Sequence, residues 1–422
     1  MTEQPDKFLR HLFDTAIGAV SAEQCLTTHL PKPPKGKTVV VGAGKAAAAM
    51  ALTFESHWAG EFSGAVVVPY GHAVECKSIE ILEARHPVPD EAGEEAARRI
   101  LDMVSHLTAD DLVVALLSGG GSALLTLPAA GITLEEKQTI NQAFLRSGAP
   151  IAEINTVRCA LSAIKGGRLA NAARPARVAT LIVSDVAGDN PAIVASGPTL
   201  PPTASEPVSD ILDRYNIDIP ENVRTVLSKN TTSFLHKDAF ELDTVSIVAR
   251  SSDVLNAAKA EAERQGWEAV TLGDDIEGEA KDVADEHARQ ALEAARFRNA
   301  ESRPLVLLSG GEVTVTLGGS NGDGGPNSEY LLALGLALNR DPKIWALSAD
   351  TDGIDGNSRN AGAILTPYSV SGAIEMGLDP TGLLTAHRSA TLFEMLGHTI
   401  ETGPTLTNVN DFRAIAICAG AY

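Results

Sequence analysis

The feature that most constrains this chain is a repeated local unit: a short aliphatic run of strand length, a glycine-bearing turn, then a helix. Thr38 to Val41 runs into Gly42-Ala43-Gly44-Lys45 and an alanine-rich helix through about Trp58, and Gly64 to Val68 is the next strand. That opening is a β-α-β unit. Leu112 to Leu117 opens into Ser118-Gly119-Gly120-Gly121-Ser122, and Val178 to Val183 into Ser184-Asp185-Val186-Ala187-Gly188-Asp189-Asn190. Apolar runs of this length fit strands covered by helices in an α/β fold. In open sheets of that class ligands bind beyond the carboxyl ends of the strands, which is where these turns fall.

The second half restarts the pattern. Val245 to Ala249, Val270 to Leu272 and Leu305 to Leu308 read as strands, with helices at about Asp253–Gln265 and Gly278–Phe297. Ser309-Gly310-Gly311-Glu312 echoes the earlier glycine loop but carries an acid. A Gly/Asn/Asp loop from Gly318 to Gly325 precedes a helix that begins with Asn327 and Glu329. Ile344 to Leu347 leads into Ser348-Ala349-Asp350-Thr351-Asp352-Gly353-Ile354-Asp355-Gly356, and the Gly403–Asp411 stretch precedes a closing strand, Ala414 to Cys418. Phe8, Leu9, Leu12, Phe13, Ile17 and Val20 mark a helix near the start. Residues 200 to 240, with their Pro, Ser and Asn, read as a connection between domains. At 422 residues the chain is long enough for two or three domains.

Charge and cysteine content narrow the function. A net charge of −20 argues against nucleic acid or an anionic membrane as a partner, since both need a basic surface. A chain this acidic that handles anionic small molecules must concentrate its cations locally. Cys25, Cys76, Cys159 and Cys418 show no CxxC spacing, so neither a zinc site nor a disulfide framework is indicated. The first 14 residues have no signal-peptide core and no apolar run reaches membrane-spanning length, which predicts a cytoplasmic protein.

Several turns carry candidate chemistry. Asp185 and Asp189, just past a buried strand, can bind a metal, or one can take a proton while the other anchors a cation; the alternative is that both cap turns. Lys45, at a glycine turn before a helix, is placed to hold a phosphate or carboxylate, or stands exposed in the first turn. The glycines at 119–121 leave backbone N–H groups to converge on an anion, with Ser122 opening a helix. Arg158, Lys165 and Arg168 around Gly166-Gly167 suggest an anion site, against a solvated helix end. His86 is a substrate contact or a loop histidine bonded to backbone. Asp350 and Asp352 join Asp189 as candidate metal ligands, or form a turn network. Thr133 with Glu136 makes a capping box for a helix through about Arg146. The Gly42-x-Gly44-x-x-Ala47 spacing matches a dinucleotide fingerprint, yet the second strand ends in Pro69-Tyr70-Gly71-His72 without the ribose-binding acid.

GAGKAAAAMA at Gly42, HPVPDEAG at His86, LSGGGSALL at Leu117, IKGGRLA at Ile164, SDVAGDNPAIVASGPT at Ser184, LSGGE at Leu308, TDGIDG at Thr351 and TGPTLTNVND at Thr402 occur in one order along the chain. Together they resemble the class II glycerate 2-kinases, whose C-terminal part is called the MOFRL domain. The resemblance implies a Rossmann-like α/β/α first domain over residues 1–235 and a smaller α/β second domain over 240–422. The MOFRL region would fall at about 304–418, with the active site in a cleft between the domains. It implies ATP- and Mg²⁺-dependent phosphorylation of D-glycerate at the 2-hydroxyl, with Lys45 and Asp185 or Asp189 catalytic. Gly42, Gly44, Ser118, Gly119, Gly120, Gly121, Ser122, Arg158, Lys165, Arg168, Gly310, Gly311, Glu312, Asn327, Glu329, Asn408 and Asn410 are then the candidate nucleotide- and substrate-binding positions, and Asp189, Asp350 and Asp352 the metal ligands. The expected partners are a small hydroxy acid and a nucleotide, with no nucleic acid and no membrane; homo-oligomerisation stays open. The alternatives are a hydroxypyruvate reductase using NAD(P)H, a kinase for a related sugar acid, or a non-catalytic sugar-phosphate sensor. Two stretches depart from the family pattern. Cys159-Ala160 stands where members often carry Lys-His, and Gly322–Glu329 lacks the two arginines of GRGGRNQE.

Overall fold

Six parallel strands make the first sheet: β1 (Thr38–Ala43), β2 (Phe62–Pro69), β3 (Ile79–Ala84), β4 (Leu112–Leu117), β5 (Arg177–Val183) and β6 (Thr244–Ala249). Their order is β3-β2-β1-β4-β5-β6. The chain therefore walks outward from β1 to β3, then returns to lay β4 on the other side of β1. That reversal is the topological switch point at which doubly wound sheets bind ligands. The computed structural model describes residues 4–201, 206–230, 240–317, 322 and 324–419.

The chain divides into two compact units, Ala22–Ala249 and Met1–Ser21 with Arg250–Tyr422. In the first, Val39, Val41, Ala65, Val67, Val113 and Ala115 pack with Ile100 and Val104 of the helix Glu91–Val104. Burial on both faces explains why β1 and β4 carry no polar alternation. A second apolar cluster joins Leu134–Ser147, Ile151–Ala160, Val208–Arg214 and Glu221–Asn230. The last two helices correct the expectation that residues 200–240 are only a connection. Val208, Ile211, Leu212, Val223 and Leu227 recur at helical spacing and are buried, so the segment belongs to the unit's core.

The second unit holds β7 (Glu268–Gly273), β8 (Gly278–Glu279), β9 (Leu305–Ser309), β10 (Val313–Thr314), β11 (Ile344–Asp350), β12 (Gly362–Leu365), β13 (Thr399–Ile400) and β14 (Asp411–Ile417). Six of these form a mixed sheet ordered β13-β12-β11-β14-β9-β7, while β8 and β10 pair separately. Helix Pro326–Ala337 is buried on all sides, with Tyr330, Leu331, Leu332 and Leu334 in the core.

The N-terminal helix Pro5–Ala19 packs in this second unit. Phe8 stacks on Trp267 with ring centroids 3.9 Å apart, Phe13 meets Phe412 at 5.8 Å, and His11 Nε2 lies 2.8 Å from Glu261. The compact units thus change over at 21/22 and 249/250, whereas the motif-based division runs 1–235 and 240–422. An amphipathic stripe states that a helix must be buried, not against which partner. Among the described residues, no helix is long and apolar enough to cross a membrane.

Candidate active site

The turns after β1 and β4 are stitched to each other. The Lys45 N–H donates to Gly119 O at 2.9 Å, the Ala46 N–H to Ser118 Oγ at 2.9 Å, and the Ser118 N–H to Ala43 O at 3.0 Å. Gly44 has φ +130°, and a Cβ there would stand 2.2 Å from Ser118 Oγ, so both conformation and space require glycine. Gly42 lies similarly close to Leu116 O, at 2.3 Å from its would-be Cβ. Beyond this seam, the position of a Cβ on Gly120 lies 3.1 Å from His86 Nε2 and 3.5 Å from Lys45 Cγ. Lys45, His86 and Gly120 thus converge at the switch point.

The loop after β5 closes onto the same edge. Gly121 packs against Ala195, and Ser122 Oγ is 2.8 Å from Ser196 Oγ. The Gly166 N–H donates to Ser196 O at 3.1 Å and the Gly167 N–H to Gly197 O at 2.8 Å. Hydrogen bonds and packing therefore join the GAGK, SGGGS, KGG and SDVAGD–ASGP stretches into one assembly beyond the strand ends. Asp185 and Asp189 are half-buried in it. Asp189, Ala195 and Ser196 have φ of +52°, +52° and +61°. Left-handed backbone in non-glycine residues costs on the order of 1–3 kcal/mol each and persists where surrounding structure over-determines it.

The predicted cations separate into two kinds. Lys165 is 1% exposed and gives its ammonium to the carbonyls of Ser122 at 2.8 Å, Leu125 at 3.1 Å and Ala195 at 3.4 Å. Burial, then the neighbouring Lys137, holds its pKa well below the usual lysine range. Arg168 Nη1 bonds the carbonyls of Cys159 at 2.9 Å and Lys165 at 3.0 Å. These two cations brace main chain. Arg158 instead donates Nε to Asn141 Oδ1 at 2.6 Å and lines a cavity of about 340 Å³ that also meets His86, Gly120, Ser122 and Lys137.

Lys137 escaped the sequence reading. It is 7% exposed, donates Nζ to Thr126 Oγ1 at 3.2 Å, and burial pushes its pKa down to about 8. Its signal was present: Lys137, Ile140, Asn141 and Phe144 are spaced to share one helix face, so a lysine sits on the buried stripe.

The candidate residues of the C-terminal unit form a buried polar network. Asp355 caps helix Pro326–Ala337, accepting the N–H groups of Asn327 and Ser328 at 2.9 Å each. Burial raises its pKa to about 6 against the opposing pull of those bonds. Asn327 Nδ2 donates to Asp411 Oδ1 at 2.7 Å, and Arg413 Nη1 to Asp411 Oδ2 at 2.9 Å. Burial raises the Asp411 pKa, with Arg413 opposing. Arg413 also bonds Gly310 O and Ser309 Oγ and lies over the Tyr330 ring. Gly310 gives its N–H to Gly273 O at 2.9 Å, and Gly311 packs against the Ile276 backbone. This glycine pair serves close packing. Glu312 is exposed. Glu329 is buried with both carboxylate oxygens 3.1 Å from His387 Nδ1.

Asp350 Oδ1 accepts the Asp352 N–H, and Asp352 Oδ1 the Ile354 N–H, both at 2.8 Å, so each makes a local turn. Asn410 O accepts from Thr351 N–H and Oγ1, and Asn408 Oδ1 from Asn410 N–H at 3.2 Å, fastening the last two motifs together. Among the described residues no group of three or more His, Cys, Asp or Glu side chains forms a metal cage. Mg²⁺ takes hard oxygen donors and commonly uses only one or two carboxylates plus substrate phosphates, so a carboxylate in either unit suits that ion without such a cage.

Comparison with known proteins decides the family. The family described as a domain of unknown function, DUF4147, matches residues 8–228, and the MOFRL family matches 305–411. A D-glycerate 2-kinase of Thermotoga maritima is 36% identical over 413 residues, covering 97% of each chain. The chain belongs to the glycerate kinase family. A crystal structure of glycerate kinase from Thermotoga maritima superposes with a TM-score of 0.87 at 35% identity, covering 98% of this chain and 99% of that one. An Agrobacterium vitis protein named "Putative hydroxypyruvate reductase" is 49% identical, over 97% of this chain and 94% of its own.

Within the glycerate kinase family the Cys159-Ala160 departure now has a setting. Cys159 is buried with Sγ 3.4 Å from Ser196 O, and Ala160 packs against the apolar cluster of the surrounding helices. The other departure involves the Gly318–Gly325 loop, of which residues 318–321 and 323, including Asp323, lie outside the described residues.

Proposed function

We propose that this chain transfers the γ-phosphoryl group of ATP to the 2-hydroxyl of D-glycerate, yielding 2-phosphoglycerate and ADP. The similarity to the D-glycerate 2-kinase over 97% of both chains carries the reading. The motif loops gathered at the switch point of the parallel sheet support it. Phosphoryl transfer needs positioning and charge neutralisation more than covalent help from the protein. Lys45 supplies positive charge to the transferring group. Asp189 takes the proton of the 2-hydroxyl as its oxygen bonds to the γ-phosphorus and the bond to the bridging oxygen of ADP breaks. Asp185 orients that hydroxyl. Lys165 holds the Ser122 and Ala195 segments in register, and Arg168 fixes the KGG turn. The carboxylates of Asp350 and Asp352 are hard oxygen donors of the kind Mg²⁺ takes, and the ion when bound would neutralise phosphate charge. An ATP-dependent enzyme of this composition works in the cytoplasm.

The reductase reading lacks its structural basis. A dinucleotide pyrophosphate needs free N–H groups at the GxGxxA turn. Here the N–H of Lys45 goes to Gly119 O and that of Ala46 to Ser118 Oγ, and Gly44 makes room for Ser118. The deciding experiment incubates the protein with D-glycerate, ATP and Mg²⁺ and locates the new phosphate by ³¹P NMR, beside a sample with hydroxypyruvate and NADH. Phosphate on the 2-hydroxyl with no NADH oxidation is expected. NADH consumption without phosphorylation overturns the proposal.

A further inference from the structure

We propose that Lys137, with Arg158, grips the carboxylate of the hydroxy-acid acceptor inside the cavity beside the Ser118–Ser122 loop; the identity of the acceptor rests on the kinase reading. The chain carries 54 acids against 34 lysines and arginines. Yet Lys137, Arg158 and Lys165 line this cavity, and among the described residues no Asp or Glu does. A buried ammonium is costly unless it meets an opposite charge. Lys137 faces one hydroxyl, Thr126 Oγ1, and the carboxylate that acts on it from a distance, Glu94, is paired with Arg98. Lys165 is committed to three carbonyls and Arg158 uses Nε on Asn141, so Lys137 Nζ and the terminal guanidinium nitrogens of Arg158 are the groups left to meet an anion.

The rest of the cavity selects what that anion is attached to. Ile140, Phe144 and Val157 form an apolar wall, while Asn141 and Gln138 add amides. This suits a small carbon skeleton bearing one carboxylate better than a polyphosphate, which would need cations or N–H groups all round. The volume of about 340 Å³ holds the equivalent of roughly ten waters, more than a three-carbon acid occupies. Gly120 and His86 share this cavity, and a Cβ on Gly120 would stand 3.5 Å from Lys45 Cγ, so an acid seated by its carboxylate directs its hydroxyl end toward the lysine.

The test begins with the unmodified protein. Cyanate at pH 8 carbamylates neutral amines, and a lysine with a depressed pKa reacts early. Peptide mass mapping should show Lys137 carbamylation suppressed by D-glycerate and by glycolate, and unaffected by glycerol. Calorimetry without nucleotide should show Lys137→Gln weakening D-glycerate binding by about tenfold to a hundredfold, Lys137→Arg retaining part of it, and ATP affinity unchanged in both. Undiminished carbamylation at saturating D-glycerate, or wild-type affinity in folded Lys137→Gln, overturns the proposal. Binding through Lys137 with no phosphorylated product would sink the kinase reading and leave the subsite standing. Phosphorylation with Lys137 unprotected would do the reverse.

Discussion

Ser118 Oγ accepts the Ala46 N–H at 2.9 Å across the seam between β1 and β4, and so ties the lysine-bearing turn to the glycine loop of the neighbouring strand. The hydroxyl replaces an intrahelical partner for one of the orphan N–H groups at the start of helix Ala47–His57. Ser118→Ala should cost about 1–2 kcal/mol and lower kcat by displacing Lys45, with both seen in thermal melts and initial rates. Gly44→Ala should be far worse, because its Cβ would also lie 2.5 Å from Ser118 O. Little or no soluble protein is the expected result.

Asp189 sits at φ +52°, a region that asparagine also tolerates. Asp189→Asn therefore keeps the backbone and removes only the charge. Turnover should fall by ~10²–10⁴-fold while glycerate and ATP affinity change little. A variant with normal kcat would remove Asp189 from the proton transfer.

Lys165→Met strands three buried carbonyls. A loss on the order of 3 kcal/mol in stability is expected, larger than any specific change in KM, as measured by denaturant unfolding beside steady-state kinetics.

Asp355 gives a pH signature. Its folded-state pKa of about 6 lies above the ordinary 3.8, so the folded chain holds the extra proton between those values. The stabilisation from that proton is complete below about pH 3.8 and lost as pH rises through about 6, on the order of 3 kcal/mol in all. Asp355→Asn should flatten this fall, read from unfolding free energies between pH 4 and 7.

Arg413 neutralises Asp411 inside the C-terminal unit. Arg413→Met leaves that carboxylate buried and unpaired, at ~3–5 kcal/mol. Limited proteolysis should then cut within residues 250–422, and adding Asp411→Asn should recover part of the resistance.

Local chemistry accounts for what could be read before the fold. Strand β1, the glycine turn and helix Ala47–His57 follow from residues adjacent in the chain, as does the Thr133–Glu136 capping box, which forms as expected. The resemblance was legible for the same reason, since each motif is a contiguous strand-end loop. Segment 206–230 was misread because Pro and Ser at its start hid a helical stripe behind turn signals.

By itself, then, the sequence determined the α/β class, the strand-turn-helix units and the motif loops that follow the strands. These depend on φ preferences, caps and hydrophobic period, all interactions within a few residues. Only the tertiary structure decided that Pro5–Ala19 packs with residues 250–422, that Lys165 is a brace, and that Lys137 lines a cavity with no acid among its described lining residues. A charge has the same identity in sequence whether it meets water, a carbonyl or a cavity; its energy, and so its use, is set by what the fold brings to it.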